Sequence, residues 1–375
     1  MNWASEWFPI DDAVYLDSAA HAVMPRSVSD AVEEAIAANR GPHRVDDAVF
    51  FDIPGRVRSS LAALIGAHAR EIALTTGASS GLQMLAHHLP WERGDEVVIA
   101  AGDFPLQYAV WKPMEQRSGV KLAIAKPRGR FLTADDVIET ITPRTRVVSV
   151  AHVRFDDGSV LDARRVADAC HAQGALLALD VSQSCGAIPI DVQALGADVV
   201  VCAGYKWLLG PYGTGFFRVS ERLLDALLPG PFYWTGQPGE TFATLNFAEP
   251  EPSRDARRWD AAEMATHFNL NLMAMSAGVE LVLRIGPAAV QQHNATLIDA
   301  LFERLPAGYT AASPLEASAR GPYGCFTAGD AQKSAAVHER LRAHGFIVSL
   351  RQGRIRVAPH LFNATEQIER LIEGL

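Results

Sequence analysis

From about residue 25 to residue 220, short apolar runs alternate with segments whose apolar positions recur every three or four residues. The apolar runs predict strands, as in residues 175–180 and 197–204. The longer period predicts amphipathic helices, as in residues 27–40 and 162–173. Short apolar strands separated by helices are typical of a mostly parallel sheet that is covered on both faces. The sequence therefore predicts an α/β domain in this region.

After about residue 220 the alternation of strand and helix patterns becomes less regular. Residues 228–255 are rich in proline and glycine and predict irregular backbone, after which a long helix is expected at residues 269–285. Helices and short strands then alternate to the end of the chain, as in an α+β domain. We predict three parts: an N-terminal segment, 1–24, associated with the small domain; a large domain, 25–255; and a small C-terminal domain, 256–375.

Composition and charge narrow the class of protein. A chain with 49% hydrophobic and 21% charged residues is typical of globular proteins in solution. A net charge of −9 argues against nucleic acid as the main partner, because phosphate backbones are held by basic surfaces. No signal peptide and no run of eighteen apolar residues is found, so we expect a cytoplasmic protein without a membrane partner. The four cysteines form no CxxC pair, which argues against metal or redox use.

Candidate chemistry lies where strands end, because open α/β sheets bind ligands outside the carboxyl ends of their strands. The first such stretch, TTGASSG at Thr75–Gly81, joins a strand to a helix. Its small residues and the helix N-terminus are suited to a phosphate group, with Ser79 and Ser80 as hydroxyl donors. It lacks the spacing of a P-loop, and taken alone it is better explained as an ordinary capped helix start.

Two further strand ends carry charged residues. Asp180 follows an apolar strand, with Gln183 three residues later. The carboxylate suits a solvated loop, a metal site or a cationic ligand atom, but no histidine or second carboxylate nearby supports a metal. Lys206 lies in the almost uncharged stretch GYKWLLGPYGTGFF. A desolvated lysine becomes a nucleophilic amine, whereas a packed stem with a solvated head is the ordinary alternative.

Together, a phosphate cup, an acid and a desolvated lysine are the parts that hold pyridoxal 5′-phosphate. The chain resembles the class V aminotransferase family of fold-type I pyridoxal-phosphate enzymes, which includes cysteine desulfurases, kynureninases and isopenicillin-epimerase-like proteins. The resemblance runs from VYLDSAA near the start, through TTGASSGLQ and LDVSQSCGAIPIDVQALGADVVVCAGYKWLLGPYGTGFF, to RIRVAPHLFNATEQIERL near the end. It implies a large domain with a mostly parallel seven-stranded sheet, a smaller α+β domain, and a homodimer.

The resemblance also implies roles for individual residues that hold the cofactor. Lys206 would form the Schiff base, and Asp180 would pair with the pyridine nitrogen. Gln183 would reach the phenolic oxygen. Ala78 and Ser79 would bind the phosphate through backbone N–H groups and the Ser79 hydroxyl.

Other positions follow from the same resemblance. Phe104 is the candidate for stacking on the ring, where desulfurases carry a histidine. Tyr205 would reach the phosphate, as in kynureninases. Arg356 matches the arginine that grips the substrate α-carboxylate, with a surface ion pair as the alternative. His21 faces the substrate or is simply a packed or surface histidine.

At several positions the role is open or the chain departs from the family. The role of Arg154 is open, and Trp234 is a candidate for approaching the neighbouring subunit's cofactor. Desulfurases need a cysteine on a loop before the carboxylate-binding arginine, but no cysteine lies between Cys325 and Arg356. We therefore expect no persulfide-forming desulfurase. Glu263 falls where relatives often place a phosphate-contacting threonine, so either the register differs or that contact is missing.

The sequence thus predicts a pyridoxal-phosphate enzyme that acts on an amino acid, with an aminotransferase favoured. The alternatives are a carbon–sulfur or kynureninase-like lyase and an epimerase. A ligand sensor that keeps the fold without catalysis is the alternative outside enzymes. The complete set of Lys206, Asp180, Gln183 and Arg356 argues against that sensor.

Overall fold

A seven-stranded sheet with helices on both faces forms the centre of the protein. The computed structural model describes residues 3–44, 46, 49–262 and 269–375, with the backbone alone at residues 49 and 50. The position of Glu263 therefore lies outside the described residues.

The strands, in chain order, are β1 Val14–Tyr15, β2 Ile72–Thr75, β3 Glu96–Ala100, β4 Lys121–Ala125, β5 Thr145–Ala151, β6 Leu176–Asp180, β7 Val199–Ala203, β8 Gly215–Val219, β9 Thr310–Ala311, β10 Gly324–Thr327, β11 Phe346–Ile347, β12 Ser349–Arg351 and β13 Arg354–Val357. The α-helices are α1 Arg26–Asn39, α2 Val49–Ile65, α3 Ala78–His88, α4 Pro105–Ser118, α5 Ala134–Ile138, α6 Ala163–Ala172, α7 Val192–Leu195, α8 Glu221–Leu224, α9 Leu270–Ile285, α10 Pro287–Glu303, α11 Ala331–Ala343 and α12 Thr365–Glu373.

The large sheet has the strand order β2-β8-β7-β6-β5-β3-β4. Six strands run parallel, and β8 runs opposite to both of its neighbours, β2 and β7. This exception has a local cause: a direct loop joins β7 to β8, and strands joined directly side by side are antiparallel. The sheet is mostly parallel and seven-stranded, as the sequence predicts.

Alternate residues of the central strands pack on opposite faces of this sheet. On β7, Val200 and Cys202 belong to one buried cluster, and Val199 and Val201 to the other. Because both faces are covered, the strands are apolar along their whole length. Burial on both sides fixes the strand ends, where the candidate residues lie.

The C-terminal part contains a four-stranded antiparallel sheet with the order β12-β13-β10-β9. The N-terminal segment joins it, since β1 pairs in parallel with β11 and Asp17 bridges to Ala358. Helix α9 instead packs against α1 and α2 and contributes to the larger buried cluster. The domain boundaries at residues 24 and 255 stay a prediction.

Two helix ends have a clear local cause. Helix α6 is followed by Gly174, whose φ of 73° is the left-handed conformation common after a helix C-terminus. At the other end of a helix, Pro25 is the N-cap of α1 and supplies no side-chain cap. Proline is tolerated there since its missing N–H would have no partner inside the helix.

Among the described residues, no single helix has the length and hydropathy required to cross a membrane. The helices α9 and α10, which are bent relative to each other, meet the length and hydropathy criteria only when they are counted together.

Candidate active site

A cleft at the carboxyl ends of the parallel strands brings together the predicted cofactor-binding residues. It is lined by Thr76, Gly77, Ala78, Ser79, Ser80, Asp103, Phe104, Leu106, Ala151, Val153, Phe155, Asp180, Ser182, Gln183, Ala203, Tyr205 and Lys206. These residues come from the ends of β2, β3, β5, β6 and β7. This is the edge where an open α/β sheet presents its ligand site.

Lys206 lies in the loop between β7 and β8, and only 8% of its surface is exposed. Its Nζ forms no hydrogen bond to any residue that the structure describes. Burial lowers the pKa of the amine, Asp180 opposes this effect, and Arg356 lowers the pKa further. The lysine is therefore neither a solvated head nor half of a tight ion pair, and its lowered pKa shifts it toward the neutral, nucleophilic form relative to a solvated lysine.

A close approach at Gly204 shapes the turn that leads into Lys206. A Cβ at this position would lie 2.2 Å from the Thr214 Oγ1 atom. The Gly204 backbone N–H donates to the Thr214 carbonyl at 2.8 Å, which closes the loop at its base. Only glycine allows this backbone approach, so the loop geometry that aims the lysine depends on it.

Asp180 ends β6 with its carboxylate in the cleft. The Ser182 N–H donates to Oδ1 at 2.8 Å, and within the described residues no other group donates to this carboxylate. One oxygen is thus held and the other is available. The arrangement suits a protonated ring nitrogen, which needs one charge-assisted acceptor.

Gln183 is fixed by two hydrogen bonds in one amide orientation. The Trp207 Nε1–H donates to Oε1 at 3.1 Å, and Gln183 Nε2 donates to the Ala19 carbonyl at 2.9 Å. An indole N–H can only donate, so Oε1 must face Trp207. The second N–H of the Gln183 amide remains for an acceptor in the cleft, as a phenolic oxygen would require. Trp207, whose ring packs on that of His360, thus also orients this residue.

The start of α3 forms the predicted phosphate cup. Gly77 is its N-cap, with φ 154° and ψ 178°, and supplies no side chain to cap the helix. The N–H groups of Ala78, Ser79 and Ser80 lie in the first turn, where a helix provides no acceptor of its own. The helix dipole adds partial positive charge, and the cup opens into the same cleft as Lys206.

Aromatic rings border the cleft on the side of Lys206. The amine nitrogen lies 5.6 Å from the ring centroid of Phe104 and 5.5 Å from that of Tyr205. Tyr205 stacks on Tyr212 with the ring centroids 4.0 Å apart. Phe104 is exposed at the cleft, so its ring is available for stacking. The stacking role of Phe104 and the phosphate role of Tyr205 stay predictions.

Asp103 is a cleft residue that the sequence reasoning missed. Its carboxylate accepts from the Phe104 N–H at 2.7 Å and from the Ala151 N–H at 3.1 Å, so it joins the ends of β3 and β5. Burial raises its pKa to about 6, although Arg154 opposes this effect. A signal existed, because Asp103 closely follows an apolar strand, as Asp180 does.

Arg356 is fully buried and does not line the cleft directly. Its Nη2 donates to Asp17 Oδ1 at 3.1 Å, and its Nη1 donates to the Phe155 carbonyl at 3.1 Å. Its Nε is buried without a partner in the described structure. The alternative of a surface ion pair is therefore wrong, since the pair with Asp17 is internal. A substrate carboxylate would have to share this guanidinium with Asp17, and the predicted grip stays a prediction.

The remaining candidates lie around this centre. The ring of His21 packs 4.8 Å from that of Tyr212, outside the residues that line the cleft. Arg154 donates to the carbonyls of Ala101 and Gly102 and pairs with Asp156. It thus holds the loop before Asp103.

Trp234 is half-buried, with its ring stacked on Phe242 at 5.9 Å. Its expected approach to a neighbouring subunit's cofactor stays a prediction.

The donor set fits pyridoxal 5′-phosphate. The uncapped N-terminus of α3 would bind the phosphate, and the free oxygen of Asp180 would bind the ring nitrogen. The second N–H of the Gln183 amide would donate to the phenolic oxygen, and the amine of Lys206 would react with the aldehyde. The phosphate cup, Asp180, Gln183 and Lys206 all line one cleft. In the described residues the second Asp180 oxygen and the Lys206 amine have no hydrogen-bond partner, whereas the Ser80 hydroxyl, expected as a donor in the cup, donates to the Gly77 carbonyl at 2.9 Å.

Comparisons with known proteins agree with this geometry. The sequence model of one family, described as aminotransferase class V, matches residues 14–367. An uncharacterized aminotransferase of Bacillus subtilis (strain 168), YcbU, is 28% identical, over 85% of this chain and 82% of the relative. The isopenicillin N epimerase of Amycolatopsis lactamdurans is 26% identical, over 100% and 98%. Proteins named as cysteine desulfurases are also among the relatives.

The fold also matches solved structures. The apo structure of a cysteine desulfurase from Thermococcus onnurineus NA1 has a TM-score of 0.83 and 21% identity, with 97% of this chain and 96% of that chain covered. At this identity the likeness concerns the fold alone. It confirms the predicted architecture of a large, mostly parallel sheet with a smaller C-terminal part.

Proposed function

The chain belongs to the class V aminotransferase family, and from that premise we propose that it removes the amino group of an amino acid and passes it to a keto acid. Family membership confirms pyridoxal 5′-phosphate as the cofactor and an amino acid as the kind of substrate. The observation that carries the proposal is the buried amine of Lys206, with its lowered pKa, in one cleft with Asp180 and the uncapped start of α3.

When bound, the cofactor supplies an aldehyde for the substrate amine and a ring that accepts electrons from the bond broken at Cα. Asp180 keeps a proton on the ring nitrogen through its free oxygen. The first turn of α3 anchors the phosphate, and Gln183 donates to the phenolic oxygen. Arg356 holds the substrate α-carboxylate. The Lys206 Nζ takes the proton that leaves Cα, and burial makes the neutral amine more accessible than in a solvated lysine because it lowers the pKa.

The groups near the Lys206 amine favour removal and return of the proton on one face of Cα, which supports transamination over epimerisation. Inverting Cα requires a second acid–base group opposite Lys206. The exposed ring near the amine is that of Phe104, at 5.6 Å, and a phenyl ring cannot exchange a proton. Tyr205, whose ring lies at a similar distance, carries a hydroxyl but adjoins the lysine on the same loop. Neither ring close to the amine therefore offers an acid–base group separate from that loop, and the carboxylate of Asp103, which also lines the cleft, is engaged by two backbone N–H groups.

The cysteines support the proposal that the protein forms no persulfide. All four cysteines are free and buried, and none lines the cleft. Burial raises the pKa of Cys170 and of Cys325 to about 12. A persulfide-forming enzyme needs an accessible thiolate, and reactivity follows the thiolate form. The homodimer and the cytoplasmic location stay predictions.

A half-reaction tests the function. The loaded protein is mixed with single amino acids in the absence of a keto acid, and products are quantified per active site. We expect about one equivalent of keto acid, with the amino group retained on the cofactor until a keto acid is added. Ammonia or sulfide released over many turnovers would instead identify a lyase. Loss of optical purity without keto acid would identify an epimerase, and no reaction with any amino acid would support a ligand sensor.

A further inference from the structure

Three arginines lie on one face of the hairpin formed by β12 and β13. The register pairs Arg351 with Arg354, and Ser349 with Arg356. Cross-strand partners in an antiparallel pair point to the same face, and residues two apart on one strand do so as well. Arg351, Arg354 and Arg356 therefore share that face, which we call the arginine face.

The arginine face is held over the rim of the cleft by three contacts. Gln352, at the hairpin turn, donates from Nε2 to the Gly102 carbonyl at 3.2 Å. Arg354 pairs with Asp156, and Arg356 donates to the Phe155 carbonyl. Gly102 and Asp156 each adjoin residues that line the cleft, and the rings of Phe104 and Phe155 meet edge-on at 5.4 Å. The hairpin is thus anchored on both loops that form this rim.

Two of the three arginines already have carboxylate partners. Arg354 pairs with Asp156, and Arg356 pairs with Asp17. Both oxygens of the Asp17 carboxylate already accept a hydrogen bond, because the second accepts from the Ser349 hydroxyl. In this arrangement Asp17 forms its ion pair with Arg356 and not with Arg351.

Arg351 differs from its two neighbours. Its Nη1 donates to the Leu350 carbonyl at 3.0 Å, and no carboxylate in the described structure lies within ion-pair distance of it. It is half-buried, and its pKa is lowered first by burial and then by the charge of Arg356, while Asp17 opposes both effects. The charge of Arg351 in turn lowers the pKa of Lys206. Placing a partly desolvated cation beside other cations is unfavourable unless an anion joins them.

We propose that Arg351 binds a second acidic group of the substrate, so that the preferred substrates are amino acids with an acidic side chain. This inference rests on the proposed function in that the substrate amine must reach Lys206 while Arg356 holds the α-carboxylate. The guanidinium of Arg351 offers a planar fork that matches a carboxylate bidentately. Its position at the rim places the acidic side chain away from the reacting Cα.

The test compares diacids with their monoamides, which have nearly the same shape but one charge less. Calorimetric titration of the loaded protein with succinate and succinamate, and with glutarate and glutaramate, measures binding without turnover. We expect the wild type to bind each diacid about tenfold more tightly than its monoamide, the scale of one charged hydrogen-bonded pair at a half-buried site. The same ratio is then measured as kcat/KM for glutamate against glutamine, and for aspartate against asparagine.

Three variants assign the effect. Arg351→Gln should bring both ratios close to one, and Arg351→Lys should retain part of the preference. Arg304→Gln removes an exposed arginine that directly follows α10 and pairs with Glu369, and it should keep the wild-type ratios. Because each ratio is taken within one variant, a loss of folded protein cancels.

The outcomes separate this inference from the proposed function. A wild type that binds diacids and monoamides equally, or a preference that survives in Arg351→Gln, overturns the role of Arg351. Amino transfer from neutral amino acids with no acid preference would leave the proposed function intact and remove the inference. A diacid preference that depends on Arg351, without any amino transfer, would support the role of Arg351 and overturn the proposed function.

Discussion

Replacing Trp207 by phenylalanine tests how the site fixes the orientation of Gln183. Trp207 is 1% exposed, its Nε1–H donates to Gln183 Oε1 at 3.1 Å, and its ring stacks on that of His360 at 5.7 Å. A phenyl ring keeps the stacking but removes the donor. The amide oxygen is then a buried acceptor without a partner, which costs about 1–3 kcal/mol.

A matched variant separates this loss from the loss of ring volume. Trp111 is fully buried, and its Nε1 has no partner in the described part of the chain. Trp111→Phe therefore removes a similar volume without breaking a hydrogen bond. We expect Trp207→Phe to lower the free energy of unfolding of the apoprotein by about 1–3 kcal/mol more than Trp111→Phe does. Denaturant titration measures both values.

The loaded enzyme gives a second, spectroscopic result. With its oxygen released, the Gln183 amide can turn, and its N–H is no longer held toward the cleft. A donor to the phenolic oxygen favours the deprotonated form of the lysine-bound cofactor. Loss of this donor should therefore raise the pKa of that cofactor, which is measured by titrating its visible absorption band. One neutral hydrogen bond of about 1 kcal/mol corresponds to somewhat less than one pKa unit.

A double-mutant cycle completes this test. Gln183→Met removes the amide, so the loss from Trp207→Phe should shrink by about 1 kcal/mol in that background. Equal losses in Trp207→Phe and Trp111→Phe, an unshifted absorption band, and strict additivity with Gln183→Met would together refute the orienting role of Trp207.

Three further predictions concern the thiols, a buried histidine and the phosphate cup. Because all four cysteines are buried, iodoacetamide should label none of them in the native protein, and Cys325→Ser should retain turnover; labelling that abolishes activity would contradict this. His360 has a pKa lowered by burial to about 3, so the unfolded chain binds more protons below pH 6.5 and stability is lost as the pH falls toward 3. His360→Phe should reduce this acid loss by a few kcal/mol, since one pKa unit is about 1.4 kcal/mol, and an unchanged pH profile in denaturant titrations would count against it. Gly77→Ala, at φ 154°, should weaken cofactor binding about tenfold in fluorescence titrations of the apoprotein, given strain of about 1–3 kcal/mol. Its control is Gly174→Ala, at φ 73° with open space around it, which should lose stability without losing affinity.

The sequence predicts the centre of the site well because that centre is built from strand ends. Asp180 and Lys206 follow apolar strands of one sheet, and parallel order brings their ends to one edge. The TTGASSG stretch signals a helix start through its small residues. Local pattern and sheet topology are sufficient for these three features, and the cleft unites them.

The surroundings of the site depend on contacts between distant parts of the chain. Arg356 pairs with Asp17, 339 positions away, and Gln183 donates to Ala19, 164 positions away. No periodicity or motif encodes such pairs, because they follow from the packing of the N-terminal segment against both parts of the protein. The same holds for the arginine face, whose register depends on which strands pair. A charged residue at a strand end is the one local signal in these surroundings, and Asp103 carries it.

The central claim is that Lys206 carries the cofactor. The loaded protein is reduced with borohydride, digested, and analysed by peptide mass spectrometry, with Lys206→Ala and the exposed-site variant Lys112→Ala treated in parallel. The account predicts one pyridoxyl group per chain on the peptide that contains Lys206, unchanged in Lys112→Ala and absent in Lys206→Ala. A pyridoxyl group on any other lysine, or none on any peptide of the loaded wild type, would contradict it.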